Sequence, residues 1–412
     1  VKHRISLTEF GFLFSIFTAP WGPVIRYLGW LIAIIGLVID KKRGRPFSGV
    51  LDPWISWPLL MLIFATLFST PIFKFGLETW GSGVSMVLEF SFAIWLAAYV
   101  FQRDGAIERW KKVWFAGIIL SVVHVFAGEL SLIPKRLFSN LNTFGIYSCV
   151  ITPFVLSLYL ESRSKRAEWF YALFFYGCLF ALITSFTSSA WIGGTVALIL
   201  QLVVTPFPFR KIVIPGIIFI IFILAAFSVL NSGFKFQGMD LVALFNRELN
   251  QLLSFHDLDN FTNHRIHIWK GSWEMLKAKP LTGWGWGDFT GVFASFHSAT
   301  WDEAATGLNV RRVYSAHSMY LKLGVYGGIP AIVLVLWIYI KSGFNSLRSC
   351  RQRAKECYLN CAIFSLIVGQ LVYSMGGDMF SFRSKGAVLF WTLLGIGGMR
   401  KGVQRQQQSV KD

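Results

Sequence analysis

The chain has 412 residues, 54% of them hydrophobic and 15% charged, with a formal net charge of +18 and a mean hydropathy of +0.55. Soluble domains carry about 25% charged residues, so this composition excludes a water-soluble enzyme, a secreted disulfide scaffold and a disordered chain. Long apolar runs alternate with short basic stretches, the pattern of an all-α polytopic membrane protein with room for about 12 spans of about 20 residues.

In chain order the spans are expected near 5–20, 23–39, 53–73, 81–101, 113–133, 142–160, 169–186, 190–206, 212–230, 316–340, 357–376 and 386–399. The first run has no small-residue cleavage site and is interrupted by Pro20, so it is expected to be both insertion signal and first helix. Basic residues gather at every second gap: Lys41, Lys42, Arg43 and Arg45; Arg103, Arg109, Lys111 and Lys112; Arg163, Lys165 and Arg166; Arg210 and Lys211. The later groups are Lys341, Arg348, Arg351, Arg353 and Lys355, then Arg400, Lys401, Arg405 and Lys411. This is the positive-inside pattern, with both termini expected in the cytoplasm. The charge therefore reports topology and membrane lipids rather than nucleic acid, which needs a continuous basic face on a folded domain.

Residues 231–315 form the one long polar stretch, expected outside the membrane. The chain is thus expected to divide into an N-terminal transmembrane bundle (1–230), a loop domain (231–315) and C-terminal transmembrane helices with a tail (316–412). The loop balances Lys and Arg against Asp and Glu and holds the cluster Gly283-Trp284-Gly285-Trp286-Gly287. A helix is expected over 264–278, ending before Pro280.

The five cysteines, Cys149, Cys178, Cys350, Cys357 and Cys361, avoid this loop, so no disulfide framework is implied. Cys357 and Cys361 have helical spacing without matching ligands nearby, which favours buried or lipid-facing thiols over zinc. Asp257-Leu258-Asp259 has the form of a DxD metal element, but it is expected to be solvated loop, as are His256, His264 and His267. No metal and no cofactor is expected. Glu89, His124 and Glu129 lie inside apolar runs, where ionisable groups are costly and face a partner or a cavity. They line a groove for acceptor or lipid phosphate, or they are the proton path of a transporter.

Two stretches carry most of the chemistry. Ala316-His317-Ser318-Met319-Tyr320-Leu321 opens the tenth run, with Gly324, Gly327, Gly328 and Ala331 following as a small-residue stripe suited to close helix packing. A histidine there is either a hydrogen-bonded structural residue or a base at the membrane boundary. In Asn263-His264-Arg265-Ile266-His267-Ile268-Trp269, Arg265 and Trp269 share a helix face. That helix either lies at the interface with its aromatics at headgroup depth, or presents Arg265 as a clamp for a diphosphate.

His317-Ser318 with Gly328 beyond, and Arg265-x-x-x-Trp269 earlier in the loop, resemble the O-antigen ligase superfamily of surface-polysaccharide ligases and polymerases. The matching motifs sit within residues 186–331. The resemblance implies a GT-C-like bundle and an active site at the periplasmic face of the bacterial inner membrane. It implies a glycan donor on an undecaprenyl-diphosphate carrier, an acceptor hydroxyl on lipid A core or a similar glycolipid or glycan, and inverting transfer without a metal. By the same resemblance His317 matches the family's essential histidine, and Arg265 the arginine that meets the donor diphosphate.

Three positions depart from the family pattern. Thr187-Ser188-Ser189-Ala190-Trp191 lacks an arginine near Ser188, Tyr326 replaces an acidic residue, and Ala331 stands where Gly, Thr or Tyr is usual. Another cation must then share the diphosphate charge, and Arg136, Arg311 and Arg312 are the candidates. A polymerase that extends the lipid-linked glycan shares these motifs. A transporter or lipid flippase is the alternative of another class, against which stands the absence of recognisable inverted halves.

Overall fold

The computed structural model describes residues 5–21, 23–47, 49–69, 72–129, 141–205, 216, 235–236, 239–254, 256–262, 265–287, 289–297, 306, 309–351, 357–378 and 385–399. The first helices are α1 (Leu7–Thr18), α2 (Pro23–Lys42), α3 (Pro53–Ser69), α4 (Ile72–Phe101), α5 (Ala106–Glu129), α6 (Leu141–Glu161), α7 (Lys165–Ile183) and α8 (Ser188–Val204). Then come strands β1 (Lys235–Phe236) and β2 (Met239–Asp240), paired antiparallel. They lead into helices α9 (Leu241–Leu253), α10 (Leu258–Phe261), α11 (Arg265–Ala278) and α12 (Phe289–His297). The chain returns through α13 (Met319–Arg351), α14 (Cys357–Gly376) and α15 (Lys385–Gly397).

The expectation of about 12 spans in a GT-C-like bundle is corrected here. Five helices among the described residues are long and apolar enough to cross a membrane: Gly81–Phe101 in α4, Phe144–Glu161 in α6, and α7, α13 and α14. The protein is all-α and polytopic, but α1, α3, α8 and α15 are helices of 17 residues or fewer. The first run is cut to 12 residues in α1, because the chain turns at Ala19–Trp21 before restarting at Pro23. At 1.5 Å per residue, α8 and α15 reach about 26 and about 20 Å, short of a hydrocarbon core about 30 Å thick. Others are long enough but less apolar: α2 carries Arg26, Asp40, Lys41 and Lys42, and α5 carries Glu108, Lys111 and Lys112. The run at 212–230 lies outside the described residues, apart from Gly216.

Several of the basic residues between runs also tie helices together. Arg109 pairs with Glu9 at 2.5 Å, Lys111 with Glu161 at 2.7 Å, and Asp40 takes Arg103 at 2.5 Å and Arg45 at 3.1 Å. Inside the bundle, α1 packs on α2, α15 on α4, and α14 on both α8 and α13. At the α8–α14 crossing Gly193 and Gly369 face one another so closely that a Cβ on either would sit 2.7 Å or less from the other's carbonyl oxygen. Small residues give membrane helices this contact, where no hydrophobic drive separates helix from lipid.

The helix expected over 264–278 is α11, running Arg265–Ala278 and stopping before Pro280. It packs on α13, with Leu276 against Gly324. Only that part of the glycine stripe acts as a packing face. Gly327 and Gly328 instead break α13, with Gly328 at φ 68°, ψ −166°. The break frees backbone groups, and the loop after α11 satisfies them. Ile329 N–H donates to Pro280 O (2.7 Å), while Val325 O and Tyr326 O accept from Trp284 N–H (2.7 Å) and Gly285 N–H (3.0 Å). Pro330 has no N–H to return to Tyr326 O, which is why that carbonyl is available. The Gly-Trp cluster is thus a plug docked on a broken helix.

A Cβ on Gly328 would lie 2.4 Å from Pro280 O in a conformation reserved for glycine. Gly328→Ala is therefore expected to cost at least about 2 kcal/mol. Thermal unfolding in detergent measures it, and an unchanged midpoint would contradict the docking described.

Candidate functional site

The site assembles where α11, the entry to α13 and the exit of α14 meet. Arg265 opens α11, and its guanidinium donates from NH1 to Gly376 O at 2.7 Å. One turn on, Trp269 donates its indole N–H to Ala316 O at 3.0 Å. The helix face shared by these two residues is thereby fastened to both transmembrane segments. Gly376 O also accepts the Ser189 hydroxyl at 3.1 Å, which brings the start of α8 to the same carbonyl. The next residue, Gly377, accepts the Met319 N–H at 3.1 Å, satisfying a donor that the first turn of a helix leaves unpaired.

His317 sits at the centre of these ties. Its backbone is left-handed, with φ 49°, and its N–H donates to Ser315 Oγ at 3.2 Å. The Ser315 hydroxyl donates in turn to Asp378 Oδ2 at 3.1 Å. Lys322, a turn inside α13, reaches the same carboxylate oxygen at 2.6 Å, with the two side chains only 8% and 13% exposed. Ser318 is buried, and its carbonyl accepts the Lys322 N–H within the first turn of α13. Phe186, just before α8, is the other described non-glycine residue at positive φ. Such conformations persist only where surroundings over-determine them.

Electrostatics follow from this packing. Burial, assisted by the positive charge of Arg265 and then Lys322, outweighs Asp378 and pushes the His317 imidazole down to about 4. It is neutral at physiological pH and able to take a proton. Burial also lowers the pKa of Arg265, opposed by Tyr373 and Glu248, but guanidinium stays cationic throughout. One neutral base, two cations and one carboxylate therefore share the site.

Residues 172–336 match the family model described as O-antigen ligase. Over this stretch the chain is similar to the O-antigen ligases. No curated protein matches it. The matched domain includes Ser188, Arg265, Trp269, His317, Lys322 and Gly328, whereas Gly376, Gly377 and Asp378 lie beyond it.

Not every expected residue joins this site. Arg311 and Arg312 lie exposed in the short turn Val310–Arg312, and Arg136, His264 and Asn263 fall outside the described residues. Tyr326, in place of an acidic residue, donates its hydroxyl to Gly287 O at 3.0 Å and packs against Trp286. It belongs to the plug. Sequence reading missed Lys322 and Asp378. Lys322 had a signal, an ammonium inside an apolar run; its pairing with a residue 56 positions away had none.

The remaining candidates have structural roles. Asp257 accepts the Asp259 N–H at 3.1 Å, opening the short α10, and Asp259 lies 3.5 Å from His267. Among the described residues no metal-ligand group forms there. The cysteines differ from expectation: Cys350 and Cys361 form a disulfide, and with Cys357 their sulfurs lie within 4.8 Å of one another. The reason is that α13 runs on to Arg351, carrying Cys350 to the start of α14. An apolar groove of about 470 Å³ between α3 and α4 contains none of the site residues.

Glu89 meets Arg26 at 2.8 Å, the two side chains 6% and 1% exposed, and accepts the Trp30 indole N–H at 3.3 Å. It is an interhelical tie between α2 and α4; the side chains of His124 and Glu129 lie outside the described residues. Glu89→Ala leaves a buried guanidinium alone and is expected to cost about 3–5 kcal/mol, with Arg26→Leu/Glu89→Leu recovering most of it. Thermal unfolding of the three proteins checks this, and equal midpoints would refute the pairing.

Proposed function

We propose that the protein is a glycosyltransferase of the O-antigen ligase type, moving a glycan from an undecaprenyl-diphosphate carrier to an acceptor hydroxyl at the periplasmic face of the inner membrane. The observation that carries this reading is the meeting of His317 and Arg265 at the Gly376–Asp378 segment, largely within the matched domain. The acceptor is lipid A core or a similar glycolipid or glycan.

No nucleotide sugar is available on that side of the membrane, so the donor must arrive activated and lipid-linked. The acceptor oxygen attacks the anomeric carbon and its O–H proton passes to the neutral His317 imidazole. The new C–O bond forms as the sugar–phosphate C–O bond breaks, and its electron pair leaves on the diphosphate. Arg265 stabilises the charge developing there. One displacement inverts the anomeric centre, and this route uses no metal. The helix α11 packs on α13 and holds Arg265 at the exit of α14.

Deleting the gene and analysing glycans on carrier and cell surface tests the reading. Full-length polymer stranded on the carrier, absent from its final acceptor, supports a ligase. Single repeat units on the carrier would replace it with a polymerase. An unchanged distribution of glycans would refute both.

A further inference from the structure

We infer that Ser315 and Asp378 are positioning residues for His317, and that Lys322 is the buried counter-ion that holds Asp378 in that role. The inference rests on the reading of His317 as the base.

A non-glycine residue in the left-handed region needs an external reason to stay there, and His317 is one of two such described residues. Its N–H is held by Ser315 Oγ, two positions earlier. A hydroxyl has one proton and two acceptor lone pairs, so its direction is ambiguous unless a neighbour decides it. Asp378 decides it. An ionised carboxylate only accepts, so the Ser315 proton points to Oδ2 and a lone pair is left for the His317 N–H. The relay runs in one sense only.

A carboxylate this deeply placed needs a partner. Lys322 provides it at 2.6 Å on the same oxygen and lies a turn beyond His317 on the helix that His317 introduces. The two glycines before Asp378 accept from Arg265 and Met319. The segment that fixes the base therefore also fixes the clamp. The relay meets His317 at its backbone N–H, so its members act through His317's orientation.

The test uses purified full-length protein in lipid vesicles with an undecaprenyl-diphosphate-linked glycan donor, each rate normalised to the folded fraction. Ser315→Ala is expected to lower kcat about tenfold or more while donor KM stays within about twofold, since misplacing a catalytic group costs rate rather than binding. Ser315→Thr keeps the hydroxyl and is expected to restore most of kcat. Asp378→Asn and Lys322→Met are each expected to lower kcat. Asp378→Asn/Lys322→Met should lose no more than the worse single variant, because the two act as one unit. Wild-type kcat in folded Ser315→Ala, alongside an inactive His317→Ala, would overturn the relay and leave the proposed function standing. An active His317→Ala would overturn the function itself. If the Asp378 or Lys322 variants fail to fold, the Ser315 pair still decides, through the rescue by threonine.

Discussion

His317→Ala is expected to abolish glycan transfer, by at least about a hundredfold in kcat, while the protein still folds and inserts. Among the described residues the hydrogen bonds that assemble the site run through the His317 backbone N–H to Ser315 and through Ala316 O to Trp269. Removing the imidazole therefore removes the base without dismantling its surroundings. The pH dependence carries a second signature. Burial and the charge of Arg265 hold the free imidazole at about 4, so kcat/KM, which reports the free enzyme, stays level from neutrality and falls only as pH drops toward about 4. A bound diphosphate neutralises the nearby cations and raises the imidazole's affinity for a proton. The acid limb of kcat is accordingly expected at higher pH than that of kcat/KM. Near-normal transfer by His317→Ala would remove the residue from the mechanism.

Arg265→Ala is expected to weaken donor use far more than Arg265→Lys, with a loss of about a hundredfold or more in kcat/KM for alanine. The guanidinium has five N–H donors in a rigid fork and the structure commits NH1 to Gly376 O, leaving the others for an anion. Lysine keeps the charge but cannot hold Gly376 O and grip two phosphate oxygens in one plane. Its activity is therefore expected between alanine and wild type. Lysine as poor as alanine would assign the effect to planar geometry, and full activity in both would place the clamp elsewhere. Donor-concentration series on the three proteins separate these results.

The parts of the site readable in advance are those whose signals are local. The start of α11 at Arg265, its end before Pro280 and the spacing to Trp269 follow from short-range rules, and His317 is marked by its place at the mouth of an apolar run. What escaped depends on contacts between distant segments. Gly327 and Gly328 read as a packing stripe, yet with Pro330 just beyond they are a helix break, and only the docking of Pro280, Trp284 and Gly285 decides between the two. Asp378 reads as a residue past the end of a span until Ser315 and Lys322 are seen on it. Arg26 and Glu89 sit in separate apolar runs and reveal their purpose as a pair. Hydropathy overestimated the spans because it measures where the chain is apolar, not how far each helix runs: α1, α3, α8 and α15 stop at 17 residues or fewer.

Glycosyl transfer by His317 and Arg265 is read by following both products of the donor in a reconstituted system. Purified protein in vesicles receives a labelled undecaprenyl-diphosphate glycan and an acceptor glycolipid. Undecaprenyl diphosphate is expected to be released in step with glycan appearing on the acceptor, and neither product is expected with His317→Ala. Intact donor that merely changes leaflet, or transfer that proceeds equally without His317, would contradict it.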